Sequence, residues 1–260
     1  MLELFSSRPG HPPVSLVTGA SRGIGAAIAR ALAAGGSDVA ITHLDDDANA
    51  RRVVYEIRQM GRRAIQMDAD VASATEAESA VRNTLQEFGR IDILECNAGI
   101  CPFAEFFDIS EEMWDRVIAV NLKGVFLTGQ MVARHMVERG GGGRIITTGS
   151  ISSMVGGSRQ AHYCASKAGE NLLIKSMAIS LSPHGITCNA VLPGTIETDI
   201  NRMALADPAL RTRLEEGTPA GRLGRPDDVA AAAVWLASRE AEWTTGSLVV
   251  VDGGTTSVLQ

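Results

Sequence analysis

The sequence predicts an α/β domain in which a parallel sheet is covered by helices on both faces. Short β-branched runs alternate with longer amphipathic segments, the rhythm of strand–helix–strand units. A glycine-rich turn stands between the first such run and the first helical pattern, where a parallel sheet turns back on itself. At 260 residues, 45% of them hydrophobic, the chain is long enough to bury one substantial core, and a single domain over 1–260 with an N-terminal tail over 1–13 is expected.

The expected strands are Val14 to Val17, Asp38 to His43, Ala64 to Met67, Ile91 to Glu95, Arg144 to Thr148, Thr187 to Leu192 and Leu248 to Val251. They make a seven-stranded parallel sheet with helices between them. In the first helix Ile24, Ile28 and Leu32 recur at helical spacing, with Ala27 and Ala31 small enough to lie close on the sheet, and Gly35-Gly36 stops it. One long helix is expected from Glu111 to Arg139, before the four glycines at 140–143. From Thr198 to Gly224 strand character disappears, and an insertion there, after a strand end, is a candidate substrate lid.

Composition excludes several classes. No run approaches the length of apolar chain a membrane span requires, and the first residues lack a basic start followed by an apolar stretch, so a cytoplasmic protein is expected. The net charge of -6 and the scattered Lys and Arg give no surface for tracking nucleic acid. Cys96, Cys101, Cys164 and Cys188 form no C-x-x-C pair and have no histidine at ligand spacing, which points to reduced thiols and no metal.

After the first strand comes Thr18-Gly19-Ala20-Ser21-Arg22-Gly23-Ile24-Gly25. A dinucleotide pyrophosphate needs a tight turn that aims N–H groups at it, a backbone without side chains in the way, and a helix N-terminus. Gly19, Gly23 and Gly25 supply these, and strand, glycines and helix arrive in the required order, so a Rossmann-type three-layer domain is expected. Choice of nucleotide depends on the end of the second strand, where an acid would hold a ribose 2′-hydroxyl. His43 stands there instead, and with Arg22 below it a 2′-phosphate is tolerable; Asp45, Asp46 and Asp47 argue for NAD if their loop folds inward. NADP is favoured, with NAD also used. His43 as a solvent-facing strand end is the alternative.

Tyr163 and Lys167 are four residues apart, which on a helix brings their Cβ atoms within about 5–6 Å. A neighbouring cation favours the phenolate and so tunes a tyrosine toward general-base work. The same spacing alone also describes an ordinary surface pair. Ser150 follows the apolar strand Ile145-Ile146-Thr147-Thr148 and precedes Tyr163 by thirteen residues, and a hydroxyl at a strand end can hold the reacting oxygen while the tyrosine takes its proton. A simple turn role is the alternative for it.

Together the glycine loop, Ser150 and Tyr163-x-x-x-Lys167 resemble the short-chain dehydrogenase/reductase family, and the resemblance spans nearly the whole chain. It implies hydride transfer between a nicotinamide and a carbinol or carbonyl carbon. It implies that Asn121, in N-x-x-G, bends its helix and holds a water relaying protons from Lys167. It further implies an adenine contact from Asp70-Val71, a sheet-stabilising motif beside the cofactor at Asn97-Ala98-Gly99, and a clamp on the nicotinamide from Pro193-Gly194, Ile196 and Thr198. Val251-Asp252-Gly253-Gly254 matches the closing turn. Glu95-Cys96 departs from the pattern, since relatives usually carry an apolar residue and a second asparagine there. A homotetramer joined through the long helices is implied as well.

Three stretches, 97–103, 150–157 and 188–201, look most like bacterial sugar 1-dehydrogenases, with L-rhamnose the implied sugar. A sugar site needs hydroxyl-matching groups, and Ser150, Ser152, Gln160, Tyr163, Thr195 and Glu197 stand where they could converge, although each could instead bond its own loop. Two other functions share these motifs. A 3-oxoacyl thioester reductase would want a basic patch for its acidic carrier, for which Arg202, Arg211, Arg213, Arg222 and Arg225 are available. A non-catalytic dinucleotide-binding regulator would have no need of the Tyr, Lys, Ser and Asn set.

Overall fold

The computed structural model describes residues 2–8, 10–201 and 205–258. Strands β1 (Val14–Val17), β2 (Asp38–His43), β3 (Ala64–Asp68), β4 (Ile93–Cys96), β5 (Gly143–Thr148), β6 (Ile186–Pro193) and β7 (Leu248–Val251) form one sheet in the order β3-β2-β1-β4-β5-β6-β7. Every neighbouring pair is parallel. The chain leaves β1 in one direction and returns to its other side with β4, so a crevice opens between their carboxyl ends. Against the expected boundaries, β3 runs one residue further, β4 lies about one to two residues later, and β5 and β6 begin one residue earlier.

Successive residues of β1 show how the layers are held. Val17 packs on one face with Ile28, Leu32, Ile41, Ile57 and Leu236, and Leu16 packs on the other with Leu94, Val132, Met136, Ile145 and Ile174. Both faces are therefore covered, which is why these strands read as continuous apolar runs rather than alternating ones. Helices α1 (Gly23–Ala34), α2 (Asp47–Gln59) and α3 (Ala74–Phe88) follow the first three strands. Ser73 caps α3 by accepting from the Glu76 N–H, and Gly89, at φ 78°, ends it in the left-handed conformation.

The long helix expected from Glu111 to Arg139 is interrupted. α4 (Glu111–Ile118) and α5 (Gly124–Arg139) flank a π turn at Ala119–Lys123, where the Gly124 N–H reaches back five residues to the Ala119 carbonyl. α6 (Ala161–Leu181) follows β5. After β6 the segment without strand character contains α7 (Pro208–Glu216), begun by Asp207 capping the Ala209 N–H, and α8 (Pro226–Leu236) packs against α1. No helix among the described residues is long and apolar enough to cross a membrane.

Candidate active site

The crevice is a cavity of about 540 Å³ at the carboxyl edge of the sheet. Its floor is the turn after β1. Gly19 sits at φ 62° with its Cα side against Ala98, so a Cβ there would lie 2.7 Å from the Ala98 Cα, and a Cβ at Gly25 would lie 2.5 Å from the Gly19 carbonyl. Asn97 stitches the ends of β4 and β1 together: its Nδ2 donates to the carbonyls of Thr18 (3.1 Å) and Gly19 (2.9 Å), and Thr18 Oγ1 accepts from its N–H. Helix α1 starts with no side-chain cap and no acid in its first turn, which leaves its N–H groups and positive dipole end for a ligand anion. Gly19, Ser21, Arg22, Gly23 and Ile24 line the cavity, while Gly25 lies behind them, buried.

At the adenosine end His43 is not solvent-facing. It is 3% exposed, and its Nδ1 accepts from the Asp46 N–H at 3.3 Å. The loop after β2 does fold inward, and it is Asp46 that lines the cavity, with its carboxyl accepting from Ser21 and Asn49 and pairing with Arg22 at 3.5 Å. Burial acts to raise Asp46, but these partners override it and hold the carboxyl below its ordinary value. Arg22 also pairs with Asp199 at 3.4 Å. Asp70 and Val71 line the same end, with Asp70 fixed by Arg116 at 2.7 Å. Asp46 and Arg116 were outside the chosen site residues, though the run of three aspartates was a visible signal for the first.

At the other end the cavity is lined by Asn97, Ala98 and Gly99 after β4, Ser150 and Ser152 after β5, Gln160, Tyr163 and Lys167 at the start of α6, and Pro193, Gly194, Thr195, Ile196 and Thr198 after β6. Ser150 makes a side-chain hydrogen bond with Tyr163. Burial pushes the Tyr163 phenol above its ordinary value, while the Lys167 ammonium and Ser150 pull it back. Burial alone would lower Lys167, but the carboxylate of Glu170 outweighs it and holds the ammonium charged. The Lys167 Nζ donates to the Thr148 carbonyl at 2.7 Å and to Glu170 at 2.8 Å.

Asn121 lies beneath the cavity, fully buried. Its Oδ1 accepts from the Ile100 N–H and its Nδ2 donates to the Ile100 carbonyl, both at 2.9 Å, and Nδ2 also donates to Ser166 at 3.1 Å. The π turn is what aims this amide at the loop after β4. Ser152 Oγ donates to Gln160 at 3.2 Å, so these two polar groups are already paired inside the cavity. Glu197 departs from its expected place: its carboxylate pairs with Arg211 on α7, and it faces a separate shallow hollow. That ion pair, together with Arg222 bound to Asp228, engages two of the arginines available for an acidic carrier; Arg202 lies outside the described residues.

A phosphate cradle, a phenol hydrogen-bonded to a serine, and a buried ammonium at one crevice define a nicotinamide-dependent oxidoreductase acting on CH–OH groups. The chain belongs to the short-chain dehydrogenase/reductase family: residues 19–256 match a family model described as enoyl-(acyl carrier protein) reductase. It is 48% identical over 242 residues to an L-rhamnose 1-dehydrogenase (NAD(P)(+)) of Azotobacter vinelandii, covering 92% of this chain and 94% of that one. An L-rhamnose 1-dehydrogenase (NAD(P)(+)) of a Sphingomonas species is 47% identical over 239 residues, with the same coverage. Among solved structures, a gluconate 5-dehydrogenase from Burkholderia cenocepacia in complex with NADP and tartrate superposes with a TM-score of 0.90 at 36% identity, covering 95% of this chain and 96% of that one.

Proposed function

We propose that the chain oxidises the C1 hydroxyl of an aldose, L-rhamnose foremost, to the aldonolactone, with NADP or NAD as acceptor. The observation that carries this is the bonded pair of Ser150 and Tyr163 facing the cavity from two different elements, in a chain whose relatives at 47–48% identity are named for that reaction.

The residues present fit the dinucleotide. The cradle admits no Cβ at Gly19 or Gly25, so a backbone surface is kept bare where a pyrophosphate would lie, with Ser21, Arg22, Gly23 and Ile24 around it. Asp46 would accept from a ribose 2′-hydroxyl, and Arg22 beside His43 would receive a 2′-phosphate, which accounts for use of both nucleotides. Asp70 and Val71 would flank the adenine; Asn97 to Gly99, Pro193, Gly194, Ile196 and Thr198 would flank the nicotinamide end. When bound, the nicotinamide supplies the hydride acceptor.

Tyr163 takes the proton of the C1 hydroxyl, and Ser150 holds the same oxygen by hydrogen bonding as it becomes a carbonyl. Lys167 acts through its charge, favouring the phenolate, and Asn121 clamps the Ile100 backbone that borders the site. Ser152, Gln160 and Thr195 supply polar groups for the remaining sugar hydroxyls. Residues 198–224 act as a lid, tied down at Glu197–Arg211. The exposed apolar side chains Trp114, Phe126, Leu172 and Ile179 on α4, α5 and α6 support assembly as a homotetramer, and the four unpaired cysteines suit a cytoplasmic setting.

Cofactor reduction measured across a panel of aldoses, with acetoacetyl thioesters offered in reverse with reduced cofactor, tests the reading. L-Rhamnose is expected to give the highest kcat/KM. Turnover of the thioester alone, or of no aldose, overturns it.

A further inference from the structure

The departure at Glu95 gains a partner in the fold. Strand β4 carries Glu95 and helix α6 carries Glu170 one turn beyond Lys167, and both carboxyls are sealed from solvent, at 1% and 0% exposure. Glu170 Oε2 accepts from the Lys167 ammonium at 2.8 Å. Glu95 Oε1 accepts from the Thr148 hydroxyl at 2.8 Å, and its Oε2 meets no hydrogen-bond partner. The backbone of the same Thr148 binds Lys167, so threonine, lysine and both acids form one buried cluster under the catalytic cavity.

Charge counting decides their states. Two carboxylates against one ammonium would leave a net negative charge where no solvent reaches, whereas one proton on the pair makes the cluster neutral. Burial pushes both carboxyls up, and only Glu170 has the ammonium in contact to pull it back. Glu95 is pushed by burial up to about 8, with Glu170 acting in the same direction against Thr148 and Lys167. The other titratable groups facing the cluster are thiols and the phenol. Cys96 on β4 and Cys188 on β6 are held neutral by burial, and Tyr163 and Cys101 lie toward the cavity.

We propose that Glu170 and Glu95 form a one-proton carboxyl pair that keeps Lys167 charged and in place beside Tyr163, Glu170 as the contact ion and Glu95 as a reserve that ionises when Glu170 is lost. Both are positioning residues, acting on the reaction only through the lysine. The proposal rests on the assignment of Tyr163 as the base.

Its test is the pH dependence of kcat/KM for aldose oxidation by the full-length enzyme with saturating cofactor, in E95Q, E170Q and the double variant. Either single change leaves one carboxylate to face the ammonium, so the midpoint of the acid limb moves by less than about half a pH unit. In E95Q/E170Q the lysine is buried without a counter-ion and loses its proton, and the phenol loses its cation, so the midpoint rises by at least about one unit. A double variant whose midpoint equals the sum of the singles, or falls, overturns the proposal. Infrared spectroscopy reads the wild-type protein directly: a protonated-carboxyl band titrating near pH 8 is expected, and its absence overturns the proposal even where the double variant fails to fold. Retained turnover in Tyr163→Phe would instead remove the base assignment while leaving that band intact, which tells the two failures apart.

Discussion

The Lys167 ammonium donates to the Thr148 carbonyl at 2.7 Å, and this bond ties helix α6 to the end of strand β5, two residues before Ser150. The phenol and the serine therefore come from different elements but are held to one frame. Because Lys167 is at once the cation beside the phenol and the tie between those elements, its replacement acts on rate and on geometry together.

Tyr163→Phe is expected to lower kcat by about 10²–10⁴ with cofactor binding retained. Ser150→Ala is expected to cost about 10²–10³, since a hydrogen bond to the developing carbonyl oxygen is lost. Steady-state rates, with cofactor affinity from fluorescence titration, check both.

The pH profile follows from the same pair. Sugar oxidation needs the deprotonated phenol, and burial holds Tyr163 above its ordinary value, so kcat/KM rises as pH rises toward that value. Lys167→Met removes the cation that opposes burial and moves the limb to still higher pH; a limb that stays put contradicts this account of the lysine.

Nucleotide choice divides between two side chains that pair with each other. Arg22→Ala is expected to weaken NADP about tenfold, or ~1.4 kcal/mol, and NAD much less. Asp46→Asn is expected to favour NADP over NAD, because it removes both the acceptor for the 2′-hydroxyl and the charge that repels a phosphate. Calorimetric titration with each nucleotide reads the ratio.

Two glycines separate backbone strain from steric exclusion. Gly19→Ala combines φ 62° with a Cβ 2.7 Å from Ala98, and both stability and cofactor affinity are expected to fall, the latter by tenfold or more. Gly61→Ala has φ 78° but open space around it, so it is expected to cost about 1 kcal/mol of stability and to leave cofactor affinity alone. Chemical denaturation and cofactor titration of the two variants make the comparison.

Glu95 leaves a mark on stability. Its carboxyl is raised from 4.5 unfolded to about 8 folded, so in that window the folded state binds more protons and stability falls as pH rises, by up to about 1.4 kcal/mol per unit. Glu95→Gln is expected to flatten the profile between those values. Denaturation curves that keep the wild-type slope in the variant would show that the carboxyl does not titrate there.

Much of the fold was legible because parallel strands buried on both faces are written as apolar runs, as in Ile145-Ile146 and Val249-Val250-Val251. The groups lining the cavity were legible where chemistry demands a fixed spacing, as in the glycine loop and Tyr163-x-x-x-Lys167. Contacts set by tertiary packing were not. Nothing local distinguishes Asp46 from Asp45 and Asp47, yet only the inward turn of that loop brings Asp46 to the cavity. Glu197 looked like a sugar ligand by position and faces Arg211 instead, because α7 presents a cation to it. Asn121 was recognised as awkward in a helix, but periodicity carries no trace of a single widened turn, and the segment read as continuous.

That widened turn has a consequence for engineering. It holds one residue more than the α-helical repeat calls for, so excising a residue between Ala119 and Lys123 would let α4 and α5 fuse into a regular rod. The fused rod would be content as a helix, yet everything on one side would be swung by about 100° about the axis relative to the other. Such a deletant would pass every test of helix content while its amide hook missed Ile100, which makes this short stretch a place where tidier secondary structure and a working enzyme are mutually exclusive.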